Sequence, residues 1–199
     1  MYFNVAMLVG GYLIAAIPFG YVVYKLKGGK DIRREGSGNI GASNVGRSGG
    51  KAMGIATFLL DFGKGAVVVG LVRWTIGDPR WEAAAALTAL VGHCYPVYLR
   101  FKGGKGIATG CGAYGMLAPI PVALALVLFT TVLLTSRIVA VASISAGLAL
   151  PLLVIWWQPE RALLISLVAG VLLTIGRHHE NIRRILSGNE EKIKRRAER

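Results

Sequence analysis

The sequence predicts an all-α integral membrane protein, a polytopic bundle of helices. Of the 199 residues, 54% are hydrophobic, whereas soluble domains are usually about 45–50% apolar. Only 17% of the residues are charged, and they are grouped between long apolar runs. Lipid-facing surfaces exclude charge, and long apolar runs favour helices over the short alternating segments of a β-barrel.

Polar and glycine-rich segments divide the chain into seven predicted membrane segments, two of them short. A spanning helix needs about 20 apolar residues, with roughly 17–25 the usual range. The seven segments are 5–24, 52–76, 81–99, 106–118, 120–135, 138–157 and 162–176. Five spans are the alternative, in which 106–135 forms one long tilted helix.

The distribution of cations predicts the orientation. Most of the 23 Lys and Arg residues fall in 25–51, 98–105 and 177–199. If these segments share the cytoplasmic side, as the positive-inside rule requires, four crossings separate Lys105 from Arg177 and the N-terminus lies outside. A chain with five spans would place the basic segment 177–199 outside, which the positive-inside rule disfavours. We expect one transmembrane domain over 1–190 and a basic cytoplasmic tail over 191–199.

The net charge of +13 also predicts an anionic partner. In a membrane protein, anionic lipid or an anionic substrate is favoured over nucleic acid.

The loop 37–51 is rich in groups that bind phosphate. Its glycines allow backbone N–H groups to wrap around an anion, as in phosphate-binding nests. Ser37, Asn39 and Asn44 add donors, Arg47 can bind a phosphate through two nitrogens, and Lys51 adds a point charge. A flexible loop with orienting charge is the alternative. A Walker A loop is excluded because Ala52, not Ser or Thr, follows the lysine.

Two further segments carry polar groups next to apolar runs. Gly103 and Gly104 precede Lys105 at the start of an apolar segment, where helix N–H groups and the positive end of the helix dipole favour an anion. The segment 178–190 begins with two histidines, and its apolar residues predict a short amphipathic helix in the membrane interface. No acid or cysteine stands at a spacing that indicates a metal site.

Ionisable and hydroxyl side chains also occur within the apolar runs. Asp61 and Lys64 are one helical turn apart, so they either neutralise each other or support a functional site. Ser143 could bond to its own helix or serve the site. His93 fits a packing role better than a functional one.

Together, 37–51 (SGNIGASNVGRSGGK), 101–109 (FKGGKGIAT) and 178–190 (HHENIRRILSGNE) resemble the three motifs of the bacterial acyl-phosphate-dependent glycerol-3-phosphate acyltransferases. The segments 61–65 and 92–106 also fit this family. The resemblance covers about residues 5–190, with the motifs in the family's order.

The resemblance implies a multi-pass enzyme of the bacterial cytoplasmic (inner) membrane, without a cofactor or metal. Its substrates would be acyl phosphate and glycerol 3-phosphate, and its products lysophosphatidic acid and phosphate. By motif position, the expected catalytic residues are Ser37, Lys105, His178 and Asn181. The expected phosphate-binding residues are Asn39, Asn44, Arg47, Lys51, Gly103 and Gly104, and the possible polar supports are Asp61, Lys64 and Ser143.

An anion transporter with the same basic loops is the alternative function. Anion transport favours basic residues at both membrane faces, but the only Lys or Arg residues in the predicted outer turns are Arg80 and Arg161. This asymmetry favours an enzyme. The residues leave open which phosphate site holds which substrate, and whether a side chain or the donor phosphate is the base.

Overall fold

A computed structural model describes residues 1–28 and 30–193, and this part of the chain is helical and contains no β-strand. The prediction of an all-α protein is therefore confirmed for the described residues. The α-helices are α1 (Tyr2–Ala15), α2 (Phe19–Gly28), α3 (Ala42–Gly49), α4 (Lys51–Thr75), α5 (Pro79–Cys94), α6 (Ile107–Leu117), α7 (Pro119–Ser136), α8 (Val139–Trp157), α9 (Arg161–Arg177) and α10 (His179–Leu186). Short 3₁₀ helices occupy Ile32–Arg34 and Val97–Leu99.

Prolines and capping side chains explain where several helices begin and end. Pro18 lies in the break between α1 and α2, since a proline has no N–H to donate. Asp78 accepts a hydrogen bond from the first turn of α5, with Pro79 at the first helical position. Glu160 caps α9 in the same manner, accepting bonds from two backbone N–H groups.

The first compact unit comprises Met1–Leu117 and is organised around α4, which contacts α1, α2, α3, α5 and α6. A side chain at Gly65 would collide with the carbonyl oxygen of Thr109 on α6. Gly112 on α6 faces the carbonyl oxygen of Phe62 on α4 in the same way. The two glycines therefore allow α4 and α6 to approach closely, as small residues do in membrane helix pairs.

The second compact unit begins at Ala118 and contains α7 to α10. Arg137, with a left-handed φ of 60°, joins α7 to α8, and these two helices pack together. α8 also contacts α9, which bends by 57° at its junction with α10. The predicted amphipathic helix within 178–190 is thus confirmed as α10. Of the predicted tail 191–199, residues 194–199 lie outside the described residues.

Within the described part of the chain, four helical segments are long and apolar enough to cross a membrane, namely 2–28 with its break, α4, α7 and α8. A fifth is obtained when α9 and α10 count as one bent span. α5 and α6, with 16 and 11 residues, fall short of the length that a bilayer requires. The chain is a multi-pass membrane protein, while seven segments stay a prediction.

The lipid-facing character of these helices is visible in their exposed side chains. Leu134 on α7, Leu152 on α8 and Leu172 on α9 are 76%, 67% and 64% exposed. Large apolar side chains exposed in this density are unfavourable in water and fit a hydrocarbon environment.

The predicted loop 25–51 contains a helix, α3, that was not expected. Gly, Ser and Asn are weak helix formers, so local propensity does not predict it. α3 forms because Asn44 and Val45 are buried and because Gly46 packs on Gly54 of α4, where a side chain at Gly54 would meet the Cα of Gly46 at 2.7 Å. Tertiary packing therefore overrides propensity here.

The predicted segment 81–99 is wrong at its C-terminal end. α5 stops at Cys94, and Pro96 follows at the start of a tight connection. The residue before a proline disfavours helical geometry, so Pro96 ends the helix despite the apolar residues that continue to Leu99.

Candidate active site

Asn44 holds the first glycine-rich loop in a defined shape. The side chain is buried, with 1% exposure. Its amide oxygen accepts a hydrogen bond from the N–H of Ser37 at 3.0 Å, and its amide nitrogen donates to the carbonyl oxygens of Glu35 and Asn39 at 3.0 and 2.9 Å. The sequence predicts a phosphate contact for Asn44, but in the structure both ends of its amide are used within the loop.

The rest of this motif leads from the loop into α3 and α4. The side-chain oxygen of Asn39 accepts a hydrogen bond from the N–H of Gly41 at 2.8 Å, just before α3 begins. Ser37 is half-buried, whereas Arg47 on α3 and Lys51 at the start of α4 are exposed. The motif thus presents a guanidinium and an ammonium at the surface, where an anion can reach them.

An ion pair at the entrance to the loop braces it. The Arg33 guanidinium lies 2.7 Å from the Asp31 carboxylate and stacks over the Tyr21 ring at 5.2 Å. The side-chain hydrogen bond from Arg33 lowers the pKa of Asp31 to about 2. Because the pKa is depressed on folding, the pair stabilises the loop above the ordinary carboxyl range and loses this effect as the pH falls toward about 2.

The second motif is fastened to the end of α5. The N–H of Gly103 donates to the carbonyl oxygen of Cys94 at 3.2 Å, and the N–H of Gly104 donates to that of His93 at 3.1 Å. The last carbonyl groups of a helix have no partner within it, so the turn satisfies two of them. The sequence predicts that these glycines offer their N–H groups to a phosphate, but both groups bond to α5 instead.

Glycine is required in this turn because other atoms occupy the side-chain positions. A Cβ at Gly103 would collide with the carbonyl oxygen of His93 and with the Pro96 ring. A Cβ at Gly104 would collide with the imidazole of His93, and its three nearest atoms all belong to that ring. The turn therefore lies in direct contact with the last turn of α5.

Lys105 follows the two glycines and is half-buried. Gly106, with a left-handed φ of 85°, then turns the chain into α6, which begins at Ile107. The first N–H groups of a helix have no intrahelical acceptor and carry the positive end of its dipole. An ammonium and a helix N-terminus therefore lie within two residues of each other, which is an arrangement suited to a phosphate.

The pair Asp61–Lys64 forms a buried polar cluster behind this turn. Lys64 Nζ lies 2.9 Å from Asp61 Oδ1 and donates a hydrogen bond to the carbonyl oxygen of Ile17 at 2.8 Å. Nδ1 of His93 lies 3.6 Å from the same Asp61 oxygen. All three ionisable side chains are at most 4% exposed. The pair neutralises itself and also reaches the α1–α2 break and the end of α5.

In the second unit, His178 lies at the junction of α9 and α10 and is 2% exposed. Its Nδ1 lies 2.8 Å from the carbonyl oxygen of Thr174. A carbonyl oxygen only accepts hydrogen bonds, so Nδ1 carries the proton in this contact. When the ring is neutral, Nε2 then keeps its lone pair and can accept a proton or a hydrogen bond.

Asn181 is held by a carboxylate that the sequence motifs did not single out. Its Nδ2 donates to Glu190 Oε1 at 2.5 Å, and Arg184 Nε donates to Glu190 Oε2 at 2.7 Å. The Glu190 side chain is only 9% exposed. It therefore closes the turn after α10 onto the helix. The only available signal was the position of Glu190 at the end of the segment 178–190.

Within each unit, local contacts hold some of the predicted residues. Ser37 and Asn39 join Asn44 in the loop, and Ser143 is buried on α8. No cluster of three or more His, Cys, Asp or Glu side chains among residues 1–28 and 30–193 could hold a metal ion.

Comparison with known proteins identifies the family. The family model described as glycerol-3-phosphate acyltransferase matches residues 5–188. A glycerol-3-phosphate acyltransferase of Syntrophotalea carbinolica is 45% identical over 190 residues, covering 94% of this chain and 96% of the relative. That of Cereibacter sphaeroides is 47% identical over 191 residues, covering 94% and 88%.

Solved structures give the same result. The crystal structure of PlsY (YgiH), an integral membrane glycerol 3-phosphate acyltransferase, in its glycerol 3-phosphate form matches with a TM-score of 0.92 and 35% identity over 96% of both chains. Its lysophosphatidic acid form matches with a TM-score of 0.89 and 34% identity, covering 96% of this chain and 95% of that chain. The present chain therefore belongs to the glycerol-3-phosphate acyltransferase family of integral membrane enzymes.

Proposed function

We propose that this enzyme transfers a fatty acyl group from an acyl phosphate to sn-glycerol 3-phosphate, giving 1-acyl-glycerol 3-phosphate and phosphate, the first step of phospholipid synthesis. The observation that carries the proposal is the full-length similarity to a solved acyltransferase whose two forms are named for glycerol 3-phosphate and lysophosphatidic acid. These are the acceptor and the product of the proposed reaction.

The phosphate of each substrate requires cations or N–H donors. In the proposal, Arg47 and Lys51 bind a phosphate group, and Ser37 and Asn39 supply further donors. Asn44 acts indirectly, because its hydrogen bonds order the loop that carries Ser37.

Lys105 and the N-terminus of α6 stabilise negative charge that develops on the leaving phosphate. Gly103 and Gly104 set the path of the backbone that ends at Lys105. Asp61 and Lys64 support this region from behind, and the buried hydroxyl of Ser143 is a polar support in the second unit.

The acyl transfer itself needs no protein nucleophile. The glycerol 1-hydroxyl oxygen bonds to the acyl carbon, and the bond from that carbon to the phosphate oxygen breaks. The hydroxyl proton passes to the departing phosphate, which serves as the base. His178 and Asn181 orient glycerol 3-phosphate, since both are buried and fixed by hydrogen bonds.

The donor is tested with purified protein in detergent. Acyl phosphate and glycerol 3-phosphate should yield lysophosphatidic acid, whereas acyl-CoA should be a poor donor because the short loops offer no evident site for its large head group. Comparable turnover with both donors would contradict the proposed donor. Uptake of phosphate or glycerol 3-phosphate by proteoliposomes, without product, would support the transporter alternative.

The orientation is a further part of the proposal. Seven membrane segments, with the N-terminus outside, place Ser37, Lys105 and Asn181 at the cytoplasmic side of a bacterial inner membrane. Single cysteines at these positions, in a background without Cys94 and Cys111, should resist an impermeant thiol reagent in intact cells. Labelling at position 181 but not at 37 would favour five segments.

A further inference from the structure

We propose that His93 is a positioning residue for the acyl transfer, which fixes the turn 103–105 and through it Lys105. The inference rests on the proposed function, because Lys105 is placed there next to the leaving phosphate. His93 lies outside the residues to which the three motifs assign roles.

The imidazole of His93 lies between a fixed charge and the glycine turn. On one side, Nδ1 is 3.6 Å from Oδ1 of Asp61, which is longer than a direct hydrogen bond but within ion-pair range. On the other side, the Nε2 edge occupies the space that a side chain at Gly104 would need. The ring therefore fixes the backbone immediately before Lys105 relative to α4.

The support behind His93 is rigid because its charged members are buried and paired. Asp61 is held by Lys64, and Lys64 also bonds to the carbonyl oxygen of Ile17 at the α1–α2 break. Removing one member of a buried ion pair leaves an uncompensated charge, so the group resists rearrangement. The turn also bonds to the backbone carbonyl oxygens of His93 and Cys94. The His93 ring then sets how closely the turn approaches α5.

The first experiment is a double-mutant cycle on purified enzyme, scored as kcat/KM for lysophosphatidic acid formation. A misplacement of about 1 Å can cost up to about 100-fold in rate, so we expect His93→Asn to lower kcat/KM about 10–100-fold. In a Lys105→Ala background the same change should cost less than about threefold, because the group it positions is already gone.

Arg73→Gln is the matched control. It breaks the ion pair between Arg73 and Glu82 (2.8 Å). Like the contact between Asp61 and His93, this pair joins α4 to α5, but it lies about 18 Å along α4 from Asp61. Its effect on kcat/KM should be small and equal in both backgrounds. Equal losses from His93→Asn in both backgrounds would overturn the positioning role, because a merely structural residue acts independently of Lys105.

The second experiment tests the contact itself. Gly104→Ala places its Cβ against the His93 ring, whereas Gly103→Ala places it against a backbone carbonyl. His93→Asn removes the Nε2 edge. Adding it to Gly104→Ala should therefore raise kcat/KM at least tenfold above that of Gly104→Ala alone, whereas adding it to Gly103→Ala should give no increase. Equal response of the two glycine variants would also overturn the proposal.

If His93→Asn does not fold, His93→Gln takes its place in the cycle, since it keeps a longer polar side chain at this position and leaves the Asp61–Lys64 pair intact. Its loss of kcat/KM should likewise shrink in the Lys105→Ala background, and equal losses would overturn the proposal. Absence of product from the parent enzyme would instead refute the proposed function.

Discussion

Replacing Asn44 with alanine tests whether the first motif depends on an ordered loop. The change removes three hydrogen bonds of 2.9–3.0 Å, one accepted from Ser37 and two donated to Glu35 and Asn39. Each is worth about 1 kcal/mol net, and the partly buried backbone groups regain some water. We therefore expect the ordered loop to lose about 2–3 kcal/mol, or roughly 30–150-fold in its equilibrium with opened forms.

The assay has two readouts on detergent-purified enzyme. Hydrogen exchange should accelerate in segment 32–39, and kcat/KM for lysophosphatidic acid formation should fall by up to about 100-fold. Asn44→Asp should be worse than Asn44→Ala, because a carboxylate oxygen then faces two carbonyl oxygens. The exposed neighbour Ser43 provides the control, and Ser43→Ala should behave like the parent.

Two results would refute this reasoning. Parent-level exchange and activity in Asn44→Ala would show that the loop does not need these bonds. Lost activity with unchanged exchange would show that the Asn44 amide contacts a substrate directly, as the motif alone predicts.

Lys105→Ala should lower kcat about 10²–10³-fold without reducing the yield of folded protein; parental turnover would show that this cation serves only orientation. His178→Asn and His178→Gln should keep part of the activity when the donor phosphate is the base. Complete loss with both substrates still bound, and a parental ionisation near pH about 6.5, would make His178 the base. Glu190→Gln removes a carboxylate that accepts hydrogen bonds from two donors. The free energy of unfolding, measured by thermal unfolding, should therefore fall by roughly 1.5–3 kcal/mol. Glu180→Gln, at an exposed residue with only a 4.0 Å ion pair, should change little, and equal losses from both would contradict the role of Glu190.

The long helices were predictable from sequence because continuous apolar runs leave little choice. Segments 120–135, 138–157 and 162–176 differ from α7, α8 and α9 by one residue at each end at most. α5 was overextended because apolar residues continue past Pro96, a stop signal that was available. α3 was not predictable from propensity, since its stability comes from contacts with α4 that are distant from local sequence patterns.

The motifs predict which segments form the candidate site, but they do not predict how the residues act. Nothing in the pattern separates Asn44, whose amide oxygen and nitrogen are both bonded within the loop, from Asn39, whose amide oxygen accepts one bond from Gly41. Similarly, the glycine pair before Lys105 suggests free N–H groups, and only the packing against α5 shows that they are occupied. Burial and side-chain partners depend on chain segments far apart in sequence, such as those that carry Asp61 and His93.

The ion pair inside α4 also bears on how the chain enters the bilayer. A lone Asp or Lys at the centre of a membrane helix costs about 2.5–3.5 kcal/mol each on insertion scales. Asp61 and Lys64 are three residues apart and 2.9 Å from each other, so they neutralise each other within their own helix. α4 can therefore insert before α5 and α6 have been synthesised. The helices can then pack in the order in which they are synthesised. His93 on α5 packs against an Asp61–Lys64 pair that is already neutral.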